Sequence, residues 1–285
     1  MICNFVEMLG EAKKGKYAVG AFNTPTAETL KAVIEAAEEL DTPVIISHAQ
    51  SFQGTVPIEW IGPQMVRYAK RAKVPVCVHL DHGLDLHYAY KAIRLGFTSV
   101  MYDCSRLPYE KNADELTKFS EIAHQMDISV EGELGEMPGI EGGTGIVRQV
   151  KDGMTKVEEA KEYVVKTGVD LLTVSIGSVH GGNKHESNVR LDIDRLKALS
   201  EVAGDCPLGM HGGSSVPDEQ LVEAIANGIS KINYYTAIGK APSDAIRQKI
   251  EDAGEPVYYH EIAKLAEDIM NERCKEAIRI FTNKR

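Results

Sequence analysis

Three histidines stand where short apolar runs give way to glycine: His82 in "HLDHG", His180 in "SVHGG" and His211 in "MHGGS". A lone buried histidine usually satisfies itself by hydrogen bonding. Three at corresponding places, from segments distant in sequence, can converge on one divalent cation and leave a fourth position open, as in a catalytic zinc site. The same kind of position holds carboxylates, Asp81, Asp103 and Glu133, and carboxamides, Asn23 and Asn233. A carboxylate beside a cation is suited to carrying a proton. Glycines follow two of the histidines, at 180–182 and 211–213. Backbone without Cβ lets a ligand approach closely and offers N–H groups to an anion. Gly181, Gly212, Ser214, Thr236 and the cation Lys184 are therefore candidates to hold a phosphate. His48, His87, His124 and His260 lack this positional logic and read as structural or surface residues; His79 and His185 lie nearer the rim.

The elements that must position these groups are legible in order. Eight short β-favouring runs occupy 16–23, 42–49, 74–81, 98–105, 128–135, 170–177, 206–213 and 230–236, each bounded by turn or breaker residues. Between them lie helical stripes. Residues 26–40 place Leu30, Val33, Ile34, Ala37 and Leu40 on one face, and 85–96 and 217–228 end on glycine. Strand then helix, repeated eight times, predicts a closed parallel (β/α)8 TIM barrel. No composition break divides the chain, so residues 1–285 read as one domain with a C-terminal helical segment over 241–285. That amphipathic segment is suited to closing the barrel bottom or to meeting another subunit. Nearly every polar, chemically capable residue falls at a strand C-terminus, where barrels keep their chemistry, and the strand starts suggest only packing.

The formal charge is −10 over 285 residues, which discourages nucleic-acid or anionic-membrane binding. No run approaches the roughly 18 apolar residues of a membrane span, and the N-terminal stretch lacks the layout of a signal peptide. Five scattered cysteines without CxxC spacing argue against a disulfide framework. A soluble cytoplasmic protein is the expectation.

Taken together, "YAVGAFN", "HLDHG", "GFTSVMYD", "EGELG", "GSVHG", "MHGGS" and "KINYYT" resemble the class II, metal-dependent ketose-bisphosphate aldolases over about residues 17–240. The resemblance implies a zinc-dependent carbon–carbon lyase of carbohydrate metabolism. It would cleave fructose 1,6-bisphosphate or tagatose 1,6-bisphosphate, reversibly, to dihydroxyacetone phosphate and an aldehyde. It further implies that His82, His180 and His211 hold the zinc, and that Asp81 exchanges a proton with the C4 hydroxyl. Glu133 and Asp103 would serve a second divalent or a monovalent cation, or an alternative metal position. Asn233 would help hold the enediolate. Glu141, in the glycine-rich segment 135–147, matches a mobile acid–base residue. Asn23, Gly181, Lys184, Gly212, Ser214, Tyr235 and Thr236 would contact substrate, the glycines, Lys184, Ser214 and Thr236 at its phosphate. The partner implied is a small sugar phosphate, and the assembly a homodimer or homotetramer.

Two positions depart from the family pattern: Tyr235, where Asp, Asn or Ala is usual, and Gly239, where a basic or polar residue often meets the distal phosphate. They keep open a ketose 1-phosphate substrate with a different aldehyde half, or a non-catalytic sugar-phosphate-binding barrel. A Schiff-base aldolase would need a desolvated lysine reaching the rim. Strand 6 has none, and Lys231 reads as lying at the starting end of strand 8. A metal-dependent hydrolase of the same fold would want a His-x-His pair at strand 1, which ends "AFN".

Overall fold

The structure, a computed structural model, describes residues 1–140, 147–148, 153–182 and 188–283. Eight parallel strands form the barrel: β1 (Val19–Asn23), β2 (Val44–Ala49), β3 (Val76–Gly83), β4 (Ser99–Tyr102), β5 (Ser129–Leu134), β6 (Leu171–Val174), β7 (Leu208–Met210) and β8 (Ile229–Asn233). Each pairs with the next in sequence, and β8 returns to β1 with Asn233 opposite Ala21. Six lie inside the runs expected from sequence, β3 runs two residues past the end of its run and β8 starts one residue before its own; the strands are buried almost throughout, as a sheet covered on both faces must be.

The helices begin and end where local chemistry allows. They are α1 (Phe5–Gly15), α2 (Ala27–Glu39), α3 (Ile58–Arg71), α4 (Leu86–Leu95), α5 (Tyr109–His124), α6 (Val157–Thr167), α7 (Ile193–Ala203), α8 (Asp218–Ala226), α9 (Thr236–Lys240), α10 (Ser243–Asp252) and α11 (Tyr259–Thr282). Thr26 caps α2 by accepting from the Thr29 N–H, and Asp85 caps α4 by accepting from Tyr88. Gly96 ends α4 at φ +94°, a conformation that favours glycine.

The base of the barrel is closed by an element the sequence reading did not pick out. Helix α1, preceded by a two-residue strand (Ile2–Cys3) beside β3, buries Phe5, Met8, Leu9 and Ala12 against Val19, Ala21, Ile45, Cys77 and Leu171. Each fully buried Phe, Leu or Met side chain contributes roughly 1.5–3 kcal/mol. The C-terminal helix α11 lies outside the barrel instead. Its Phe281 meets Phe22 and Tyr234 at ring-centroid distances of 6.5 and 5.7 Å, and its Lys275 and Glu267 pair with Glu39 and Lys31 of α2. No helix among the described residues is long and apolar enough to cross a membrane.

Candidate functional site

Strand β3 delivers two adjacent groups to the rim, which simple alternation forbids. Successive side chains on a strand point to opposite faces, so if Asp81 faces the interior His82 should face the helices. Two irregularities turn it back. The register of β3 against β4 shifts between Leu80 and Gly83, and His82 adopts φ +47°, in the left-handed region. Such a bulge bends the strand and re-aims a side chain. A non-glycine residue held there costs free energy and persists only where its surroundings enforce it.

The imidazoles then gather. His82 and His211 have ring centroids 4.3 Å apart, and His180 lies 5.4 and 5.5 Å from them. His180 is not on β6 itself but six residues beyond its end. Its backbone N–H donates to the Pro138 carbonyl at 2.9 Å, and Gly139, at φ +118°, packs against its carbonyl where a Cβ could not stand. His82 Nδ1 lies 2.8 Å from Asp103 Oδ2, and the other Asp103 oxygen accepts from the Ser105 N–H and hydroxyl at 3.0 and 2.6 Å. An acceptor carboxylate there makes Nδ1 the protonated nitrogen and leaves the lone pair on Nε2. That Nε2 is 4.0 Å from Asp81 Oδ1, and His211 Nδ1 is 3.9 Å from the same oxygen. Glu133 Oε2 sits 4.0 Å from His82 Nδ1 and 3.7 Å from His211 Nε2. Ligand atoms of Asp81, His82 and His211 fall within 4.8 Å of one another, as do those of His82, Asp103 and Glu133. Imidazole nitrogens with carboxylate oxygens in reach are the donor set of a zinc-type ion, and the residues fit one.

Asp81 is held by two carboxamides. Asn23 Nδ2 donates to one oxygen and Asn233 Nδ2 to the other, both at 3.0 Å. Burial pushes its pKa up, but the charges of His82, Lys231 and His79 outweigh this and hold it below the usual carboxylate range. Asp81 is therefore ionised, with oxygen lone pairs able to accept a proton. A carboxylate only accepts, which fixes both amide orientations. The Asn23 and Asn233 carbonyl oxygens have no hydrogen-bond partner among the described residues. Both residues line a cleft together with Asp81, the three histidines, Gly181, Gly212, Ser214, Tyr235 and Thr236. Glu133 and Asp103 lie buried beneath its floor. Glu141 and Lys184 lie outside the described residues.

The two departures prove to be one packing feature. A Cβ on Gly239 would stand 3.0 Å from Cζ and 3.1 Å from Oη of Tyr235, so the tyrosine ring occupies the space that a side chain at 239 would need. On its other side the ring meets Phe52 edge-on at 5.4 Å. Behind Phe52, buried His48 is 3.1 Å from the Tyr88 hydroxyl, and burial lowers its pKa to about 4. It is a neutral structural histidine. No lysine or arginine is among the described residues lining the cleft.

One set of polar residues was missed in the sequence. Lys231 is not at the starting end of β8: it is the third of five residues and fully buried inside the barrel. Its ammonium donates to both oxygens of Glu131, at 2.9 and 2.8 Å. His79 Nε2 lies 3.1 Å from the same carboxylate. Burial raises the Glu131 pKa, yet Lys231 and His79 more than reverse this and hold it far below the carboxylate range. The available signal was two opposite charges at inward positions of apolar strands. An amine so engaged is not the nucleophile a Schiff-base aldolase needs.

The sequence matches the family described as Fructose-bisphosphate aldolase class-II over residues 3–285. It is 39% identical over 277 residues to a Sulfofructosephosphate aldolase of Alkalicoccus urumqiensis, covering 96% of this chain and 94% of that one. It is 37% identical over 266 residues to the D-tagatose-1,6-bisphosphate aldolase subunit GatY of Klebsiella oxytoca, with 91% of each covered. The crystal structure of the YdjI aldolase from Escherichia coli K12 superposes with a TM-score of 0.84 at 31% identity, over 99% of this chain and 97% of that one. The match over nearly the whole chain, on a barrel whose rim gathers three imidazoles around an ionised aspartate, shows that the chain belongs to the class II fructose-bisphosphate aldolase family of metal-dependent carbon–carbon lyases.

Proposed function

We propose that the protein cleaves a ketose bisphosphate, fructose 1,6-bisphosphate or tagatose 1,6-bisphosphate, to dihydroxyacetone phosphate and an aldehyde, with zinc held by His82, His180 and His211. The observation that carries this reading is Asp81: an ionised, doubly hydrogen-bonded carboxylate beside the imidazole cluster. When bound, the zinc supplies a Lewis acid for the negative charge that develops on the ketose carbonyl as the carbon–carbon bond breaks. Asp81 takes the proton of the C4 hydroxyl, and the Asn23 and Asn233 amides keep its oxygens aimed at the cleft. Asn233, and Asn23 across from it, offer their carbonyl oxygens to substrate hydroxyls. Gly181, Gly212, Ser214 and Thr236 form the cleft wall suited to the ketose phosphate, with Lys184 adding charge and Glu141 serving as acid–base at the cleaved carbon. Asp103 orients His82, and Asp103 with Glu133 would hold a second divalent or a monovalent cation.

The aromatic wall favours a second reading for the aldehyde half. Tyr235 fills the space at Gly239 and no described cleft residue is cationic, which suits a ketose 1-phosphate whose aldehyde carries no phosphate. Release of dihydroxyacetone phosphate from fructose 1,6-bisphosphate, tagatose 1,6-bisphosphate and fructose 1-phosphate, with and without EDTA, decides between them. EDTA-sensitive release from a bisphosphate is expected, release from the 1-phosphate alone would establish the second reading, and EDTA-resistant release would overturn the metal mechanism. A cytoplasmic homodimer or homotetramer completes the proposal, supported by five free thiols and the acidic surface.

A further inference from the structure

A TIM barrel fills its interior with layers of branched aliphatic side chains. Directly below the cleft this one does otherwise: His79, Ser99, Glu131, Thr173 and Lys231 are all at most 1% exposed and joined in one network. Glu131 is its centre. Lys231 donates to both carboxylate oxygens, the Thr173 hydroxyl donates to Oε1 at 2.6 Å, and His79 Nε2 lies 3.1 Å from Oε2. His79 is itself anchored, its Nδ1 2.8 Å from the Ser99 hydroxyl. The carboxylate therefore has almost no freedom to move.

What it faces gives the network a purpose. Glu131 Oε1 is 3.6 Å from His211 Nε2, and the opposite nitrogen of that ring, Nδ1, faces Asp81 in the cleft at 3.9 Å. Glu133 Oε2 also approaches Nε2, at 3.7 Å. An imidazole whose one N–H is turned to a fixed carboxylate keeps its lone pair on the other nitrogen, and outer carboxylates of this kind orient metal-binding histidines and raise their basicity. Asp103 stands in that relation to His82 at 2.8 Å, and Glu131 lies one small step outside it, at 3.6 Å from His211 Nε2. The geometry points to Glu131 as a positioning residue for His211: clamped by Lys231, Thr173 and His79, it fixes the ring's tautomer and angle so that Nδ1 is presented to the metal. This rests on the reading of His211 as a metal ligand. A purely structural explanation is weaker, because buried ion pairs are often replaced by apolar residues of similar volume with no loss of stability.

The test uses the double variant Glu131→Gln/Lys231→Met, which removes both charges and strands neither, and Thr173→Val, which removes one hydrogen bond to Glu131. Zinc affinity is measured by competition with a chelating dye, the cobalt-substituted protein is examined by visible absorption, and circular dichroism reports folding. The expected result is a folded double variant that binds zinc roughly 10–100-fold more weakly, with a shifted cobalt spectrum, and a smaller shift of the same sign for Thr173→Val. A folded double variant with wild-type zinc affinity and cobalt spectrum would overturn the proposal. Should the double variant not fold, Thr173→Val with unchanged affinity and spectrum overturns it by itself. His211→Ala separates the underlying reading: if it retains wild-type zinc affinity, His211 is not a ligand and the failure lies there.

Discussion

The two ends of the barrel share eight strands and differ in both chemistry and backbone. At the base, the strand starts and helix α1 make an apolar plug, and among the described residues three non-glycine positions that lead into barrel strands take left-handed φ values: Lys16 at 52°, Asp41 at 48° and Asp127 at 57°. All three lie just past the end of a helix, where such a turn is the ordinary way to stop. At the rim one non-glycine residue among those described, His82, has the same kind of φ at the end of a strand, where nothing in helix termination requires it. The same backbone strain is incidental below and tied to the imidazole cluster above. Stability is built at one end of a TIM barrel and function at the other.

The comparison breaks most sharply at the imidazoles. Replacing His211 with alanine should lower kcat/KM by roughly 10³-fold or more, because several kcal/mol of charge stabilisation goes with the cation. Bound zinc should fall in parallel while the circular dichroism spectrum stays that of the parent. Unchanged turnover would place the metal elsewhere. Asp81→Asn comes next. It keeps the shape and removes the base, so kcat should drop roughly 10²- to 10³-fold with zinc retained. Loss of zinc in this variant would make Asp81 a ligand first and a proton carrier second.

How far the rim could be read from sequence follows from the same contrast. The strands and helices were legible because burial on both faces of a parallel sheet and on one face of a helix leaves periodic apolar patterns. The rim histidines and Asp81 were legible because apolar runs rarely end so polar. What was hidden is non-local or conformational. Nothing in "HLDHG" announces that a register shift will put Asp81 and His82 on one side, since alternation says the opposite. Glu131 and Lys231 are 100 residues apart, and a lone charge in each strand gives no hint of its partner. Helix α1 was overlooked although Asn4 caps it and Phe5, Met8, Leu9 and Ala12 recur at helical spacing. The link between Tyr235 and Gly239 depends on a short turn of helix, and on the packing of the Tyr235 ring against Phe52 from a distant loop.

That link supplies a smaller prediction, confined to the aldehyde side of the cleft. Gly239→Ala forces a Cβ to about van der Waals overlap with Tyr235, so the ring must shift. The ratio of kcat/KM between bisphosphate and 1-phosphate substrates should change about tenfold, the scale of a pocket altered by one methyl group. Zinc content and sensitivity to EDTA should not change. An equal loss on both substrates would mean that the tyrosine serves the reacting centre and not the aldehyde half.

The smallest effect belongs to the base. Lys16 ends α1 at φ 52° and ψ 47°, with its N–H directed at the carbonyls of Ala12 and Lys13. Its side chain is exposed, so the conformation costs free energy and the lysine recovers nothing from it. Glycine adopts this geometry without a Cβ clash, although it also loosens the unfolded chain, which offsets part of the gain. Lys16→Gly should therefore stabilise the protein by less than about 1 kcal/mol, a rise in melting temperature of about 2 °C, with kcat and KM unchanged. His82→Gly would relieve the same strain at the rim and remove a proposed metal ligand with it. If Lys16→Gly also altered turnover, the base would be coupled to the site through α1, Phe5 and the Phe5–His79 ring contact at 4.9 Å, and the separation of the two ends would not hold.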